Sequence, residues 1–128
     1  TMKLIPQGHA VKDWGLEINF ASNESYCGKL LVFEYPKKKT AMLLHKTKRK
    51  SWFVNSGSFK ITFIDIKTGV PREQIVKEGN TVDIAEMSPH QLESLEHNST
   101  IFETGSADYE EDQFRLNPGD EQIQPSEQ

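Results

Sequence analysis

One cysteine in 128 residues, Cys27, rules out a disulfide within the chain and fits a reducing compartment. No apolar run approaches the roughly 18–20 residues needed to cross a bilayer, and no signal-peptide pattern opens the chain. The expectation is a cytoplasmic protein with no membrane partner. Helical periodicity is missing as well, since nowhere does an apolar i, i+3, i+4, i+7 pattern persist. Phosphate-binding loops, dinucleotide fingerprints and zinc-finger spacings are also absent. The last 24 residues nearly lack bases: seven acids stand there against Arg115 alone.

What is present is a succession of short, strand-like segments. "KLLVFEY" (29–35) is dense in branched and aromatic residues and stops at Pro36. Residues 40–45 and 52–55 flank a basic stretch. "SFKITFIDI" (58–66) alternates with period two, putting Phe59, Ile61 and Phe63 on one face. Gly57-Ser58 before it reads as a tight hairpin turn. Further strands are expected at 73–76, 81–85, 91–95 and 100–104, separated by the turns "KTGVP" and "KEGN". About eight strands with a turn every 8–12 residues predict an all-β sandwich or barrel. One domain is expected over 1–117, and the acidic, Gln-rich residues 118–128 are expected to be disordered.

Residues 37–50 hold half of the basic side chains of the first 104 residues. Such a patch either draws an anionic ligand or is a solvated loop; no nucleic acid partner is expected. Within it, "LLHKTKRKSW" (43–52) places His45, Lys50 and Trp52 near two strand ends. Lys50 and Trp52 share strand parity and are expected to face the same way. Cys27 in "YCGK" reads as structural, with no general base beside it in sequence.

In their order, "DWGLEINFA" (13–21), "YCGKLLVFEYP" (26–36), "WFVNSGSFKITF" (52–63), "KEGNTVDIAEMSPHQLESL" (77–95) and "NPGDEQ" (117–122) resemble a small cupin. The branch they resemble includes the cupin domain of type II mannose-6-phosphate isomerases. The resemblance implies a double-stranded β-helix, or jelly-roll barrel. It also implies a metal set of H-x-H, then Glu on the next strand, then a histidine from a second motif. Here those slots hold Leu43, His45 and Lys50, with His90 in "SPHQL" for the second motif. Two of four donors remain. A leucine has no lone pair to give, and an ammonium about 5 Å from a divalent ion repels it by roughly 6–7 kcal/mol at an effective dielectric of ~20.

The resemblance therefore implies a sugar or sugar-phosphate binding cupin with a degraded metal site. Any divalent ion (Zn, Mn, Fe or Ni) would be weakly held on His45 and His90, or absent. The pocket is expected to be lined by Leu43, His45, Lys50, Trp52, His90, Leu92 and Ser94. Asp108, Glu110 and Arg115 resemble a C-terminal strap that recurs in this family. Two other functions remain open: an active metal-dependent, isomerase-like enzyme, and a structural cupin using the basic 37–50 edge. A homodimer is expected, with "EINFA" as the strand that joins the neighbour.

Overall fold

The computed structural model describes residues 2–4, 8–117 and 119 of the chain. Eleven strands are found among them: β1 (Gly8–Lys12), β2 (Gly15–Ser22), β3 (Tyr26–Phe33), β4 (Met42–His45), β5 (Lys50–Ser56), β6 (Ser58–Ile64), β7 (Pro71–Lys77), β8 (Thr81–Ile84), β9 (His90–Ser94), β10 (Ser99–Ser106) and β11 (Gln113–Asn117). They form a six-stranded antiparallel sheet, ordered β1-β2-β3-β10-β5-β8, and a five-stranded one, ordered β11-β4-β9-β6-β7. The sheets face each other across one core. This is the expected jelly-roll barrel.

Period-two patterning explains the core. Trp52 and Val54 of β5, Phe59 and Ile61 of β6, Leu92 of β9 and Ile101 of β10 turn inward and pack with Phe33 of β3. Phe33 is fully enclosed, stacked on Trp14 at 4.5 Å between ring centroids and edge-on to Phe59 at 5.1 Å. Buried apolar positions from both sheets thus meet in one cluster, the arrangement a sandwich core needs.

Three expectations are corrected. β1 and β11 carry too few apolar residues to signal strands on their own, yet each pairs along a neighbour. Gly57 is not a hairpin turn, because β5 and β6 belong to different sheets. It marks the corner where the chain crosses between them, at φ 74, and a Cβ there would run into Ser99. Nor can "EINFA" serve as a free edge, since β2 is hydrogen-bonded to β1 on one side and β3 on the other. The tail expected to be disordered lies outside the described residues apart from Gly119.

The basic stretch is held by one carboxylate. Asp112, in a short 3-10 turn before β11, accepts hydrogen bonds from the backbone N–H groups of Lys46 (2.8 Å), Thr47 (3.0 Å) and Lys48 (2.9 Å), and from the Thr47 hydroxyl (2.8 Å). This clamp fixes where Lys48 and Lys50 enter the barrel. Replacing Asp112→Ala is expected to cost about 3 kcal/mol in urea unfolding at neutral pH, with Asp112→Asn costing less. Amide exchange at 46–48 should accelerate in the alanine variant. Unchanged exchange there would show that the loop is held by something else.

Candidate functional site

Between the sheets lies a cavity of about 180 Å³. Lys12, Trp14, Glu17, Lys29 and Leu31 line it from β1–β3 and the turn between the first two. Leu43 and His45 come from β4, Lys50 and Trp52 from β5, His90 from β9 and Glu103 from β10. Lys48 enters from the clamped loop, and Asp108, Gln113 and Arg115 from the C-terminal strap.

Strand register explains the assembly. Trp52 sits opposite Glu103 and Lys50 opposite Gly105, so one inward-facing row on β5 and β10 holds Lys50, Trp52 and Glu103. A Cβ on Gly105 would lie 2.9 Å from the Lys50 Cβ and 3.2 Å from the Lys48 Cε. A glycine is what leaves room for the two lysine stems. Across the barrel, Leu43 of β4 pairs with His90 of β9, and the His45 and His90 ring centroids are 5.9 Å apart.

Glu103 is the electrostatic centre. Its Oε1 accepts the Trp52 indole N–H at 2.8 Å and lies 3.2 Å from the Lys50 Nζ; its Oε2 lies 3.2 Å from the Lys48 Nζ. Lys48 also reaches Asp108 at 3.3 Å, and Lys29 bridges Asp108 at 2.7 Å and Glu17 at 3.6 Å. Three ammonium groups thus meet three carboxylates. Burial alone would raise the Glu103 pKa, but Lys50, Lys48 and Lys29 outweigh it and hold Glu103 well below the usual carboxylate range. Asp108 is lowered in the same way, burial being overcome chiefly by Lys29. Lys48 resists the downward pull of burial and ends above its ordinary value, because Glu103 and Asp108 face it. For Lys50 burial wins: its pKa is lowered despite Glu103.

Burial, reinforced by the Lys50 charge, pushes His45 down to about 4 and His90 down to about 3. Both imidazoles are neutral at physiological pH. The His90 Nδ1 is 2.7 Å from the Ser88 carbonyl oxygen, so it carries the proton and donates. That leaves Nε2 as a lone-pair acceptor. Among the described residues, His90 Nε2, His45 Nδ1 and the Trp14 indole N–H find no hydrogen-bond partner, although all three are buried.

Leu43, His45, Lys50, Trp52 and His90 are therefore brought together around the cavity. Leu92 and Ser94 are not among its lining residues: Leu92 belongs to the core, and the Ser94 hydroxyl donates to the Tyr35 carbonyl at 2.7 Å and accepts from the Lys38 N–H at 3.1 Å. Of the strap residues, Asp108 and Arg115 line the cavity while Glu110 does not. Sequence reasoning missed Lys29, Lys48, Glu103 and Trp14. Parity along "STIFET" was the available signal for Glu103, which alternates with Ser99 and Ile101.

Among the described residues no three His, Cys, Asp or Glu side chains converge as a metal-binding group. Two imidazoles are at hand, but the next groups are the Lys50 ammonium and a carboxylate whose oxygens already hold Lys48, Lys50 and Trp52. That donor set does not fit a tightly bound divalent cation.

No family model matches the chain, and no curated protein matches it significantly. Solved structures do match the fold. Oxalate decarboxylase from Bacillus subtilis superposes with a TM-score of 0.76 at 17% identity over 86% of this chain. The capsular polysaccharide assembling protein CapF from Staphylococcus aureus superposes with a TM-score of 0.75 at 20% identity over 89%. The chain spans 30% and 33% of those chains respectively. Their similarity establishes a cupin-type jelly roll. Mn(II) centres are described for the B. subtilis decarboxylase, in a structure that superposes at 15% identity.

Two outcomes test the buried network. Glu103→Gln strips the charge that Lys48 and Lys50 face and is expected to destabilise the fold by roughly 3–5 kcal/mol. Adding Lys50→Met should restore part of that loss; strict additivity in denaturant melts would contradict the coupling. The pH dependence follows from depressed pKa values. Each buried histidine favours folding fully above its unfolded value of 6.5 and loses that contribution as pH falls toward about 4 for His45 and about 3 for His90. Glu103, also depressed, adds stability above its ordinary 4.5 that disappears at lower pH. Melting temperature should therefore drop steadily below pH 6.5, and less steeply in His90→Gln.

Proposed function

We propose that this barrel binds a compact sugar, sugar phosphate or sugar acid without a metal. The observation that carries the reading is the set of three buried polar atoms, on Trp14, His45 and His90, without partners among the described residues and belonging to residues of one cavity. Each unmet group costs about 1–3 kcal/mol, which a hydroxyl-bearing occupant recovers. The Trp14 N–H donates and the His90 Nε2 accepts, a combination that suits a hydroxyl and disfavours a bare anion beside the lone pair. The volume of about 180 Å³ is below the ~300–1,000 Å³ of drug-sized sites. It favours a single small ring or chain over a nucleotide.

Charge narrows the class of ligand. Five cations (Lys12, Lys29, Lys48, Lys50, Arg115) and three carboxylates (Glu17, Glu103, Asp108) line the cavity, a surplus of two positive charges. The three interior lysines are matched by the three acids. A lining with more cations than carboxylates suits an occupant that carries an anionic substituent beside its hydroxyl groups. CapF is named as a capsular polysaccharide assembling protein, which is compatible with carbohydrate chemistry on this fold but does not carry the reading. The metal-dependent isomerase reading is disfavoured by the donor set. The basic-edge reading loses two of its cations, since Lys48 and Lys50 are buried inside the barrel.

Calorimetry and thermal shift against monosaccharides, their phosphates and sugar acids test the proposal. At least one class should bind in the micromolar to millimolar range, and Trp14→Phe should weaken it about tenfold by removing one donor. No binding by any class, or stoichiometric tight binding of Zn²⁺ or Mn²⁺ by the wild-type protein, would overturn it. Lys50→Glu combined with Leu43→His should raise divalent-metal affinity, because it removes an ammonium and adds two donors.

A further inference from the structure

We propose that Lys50 is a covalent carbonyl-binding site, capturing the open-chain aldehyde or ketone of a sugar or keto acid as a reversible imine. This rests on the pocket reading above and names the functional group of its ligand.

Three observations carry it. Lys50 is buried, 5% exposed, and is one of the residues that line the cavity. Its Nζ lies 5.2 Å from the Trp52 ring centroid, and Trp52 packs edge-on to His90 with centroids 5.5 Å apart. An amine, an apolar wall and an imidazole acceptor therefore border one small space. Third, Lys50 differs from the other two interior lysines. Lys48 faces Glu103 and Asp108, and Lys29 faces Asp108 and Glu17, whereas among the described residues Lys50 pairs with Glu103 alone. Glu103 keeps the Trp52 N–H and Lys48 if the Lys50 charge is lost. The lowered Lys50 pKa, set by burial and by Lys48 and Lys29 against Glu103, agrees with this placement.

The step balances without a co-reactant. The Lys50 nitrogen gives a proton to the developing alkoxide, directly or through water, and its lone pair bonds the carbonyl carbon. The carbonyl oxygen leaves as water with two of the three ammonium hydrogens. Overall, R–NH3⁺ and O=CR2 give R–NH⁺=CR2 and H2O. One positive charge stays beside Glu103 from start to finish, so the carboxylate that pairs the ammonium also stabilises the iminium. No counter-ion has to move.

The test incubates wild-type protein with glyceraldehyde or pyruvate and sodium cyanoborohydride at neutral pH, then maps adducts by peptide mass spectrometry. Lys50 should be reduced at least tenfold faster than any other lysine, although random modification favours exposed lysines such as Lys67. Lys50→Met should lose that adduct and keep the slow surface labelling; the wild-type map decides even if this variant folds poorly. Calorimetry with the same compounds, without reductant, separates the two ideas. Binding with adducts only on other lysines overturns the imine and leaves the pocket reading intact. Neither binding nor a Lys50 adduct overturns the imine and counts against the pocket as well.

Discussion

A single buried carboxylate organises this barrel. Glu103 is buried on the inner face of β10, where an isolated charge would be prohibitively costly. It is tolerated because two ammonium groups and an indole N–H surround it, and those partners come from β5 and the loop before it. The requirement works in both directions. Lys48 and Lys50 can be buried only because Glu103 is there, and Gly105 is small because their stems pass beside it.

The network extends this mutual dependence to the C-terminal strap. Asp108 joins Lys48 to Lys29, and Asp112 clamps the backbone that delivers Lys48. Segments distant in sequence, residues 29, 46–50, 103 and 108–112, become one polar unit at one end of the core. Buried ion networks are weak sources of net stability, but breaking one is expensive, and that asymmetry favours one arrangement of the strands over near alternatives. The polar unit also acts on the cavity: its Lys50 charge reinforces the burial that keeps His45 and His90 neutral.

The fold was largely legible in the sequence because strand parity is a local property. Alternation in "SFKITF" reports its own buried face, and Lys50 and Trp52 two residues apart must point the same way. The strands that escaped, β1 and β11, are those with mostly exposed residues, whose existence depends on a neighbour's free backbone edge rather than on their own pattern. Gly57 misled for a related reason. A glycine at positive φ marks a sharp change of direction, but whether the chain returns along the same sheet or crosses to the other is settled by what lies across the core.

For the site the division falls elsewhere. By itself the sequence put Lys50 and Trp52 on one strand face, and its resemblance to a cupin implied that His45 and His90 would share that interior and that Leu43 and Lys50 would leave the histidines short of donors. It could not say what neutralises Lys50. A charge partner 53 residues away is chosen by strand register, Trp52 opposite Glu103 and Lys50 opposite Gly105, and register is a pairing between strands that neither strand encodes alone. Tertiary structure therefore decided that the basic stretch is half core and half surface, with Lys48 and Lys50 inside while Arg49 pairs with Asp83 on the exposed face. The physical reason is that local patterning fixes which way a side chain points, whereas the cost of burying its charge depends on the groups the fold brings to meet it.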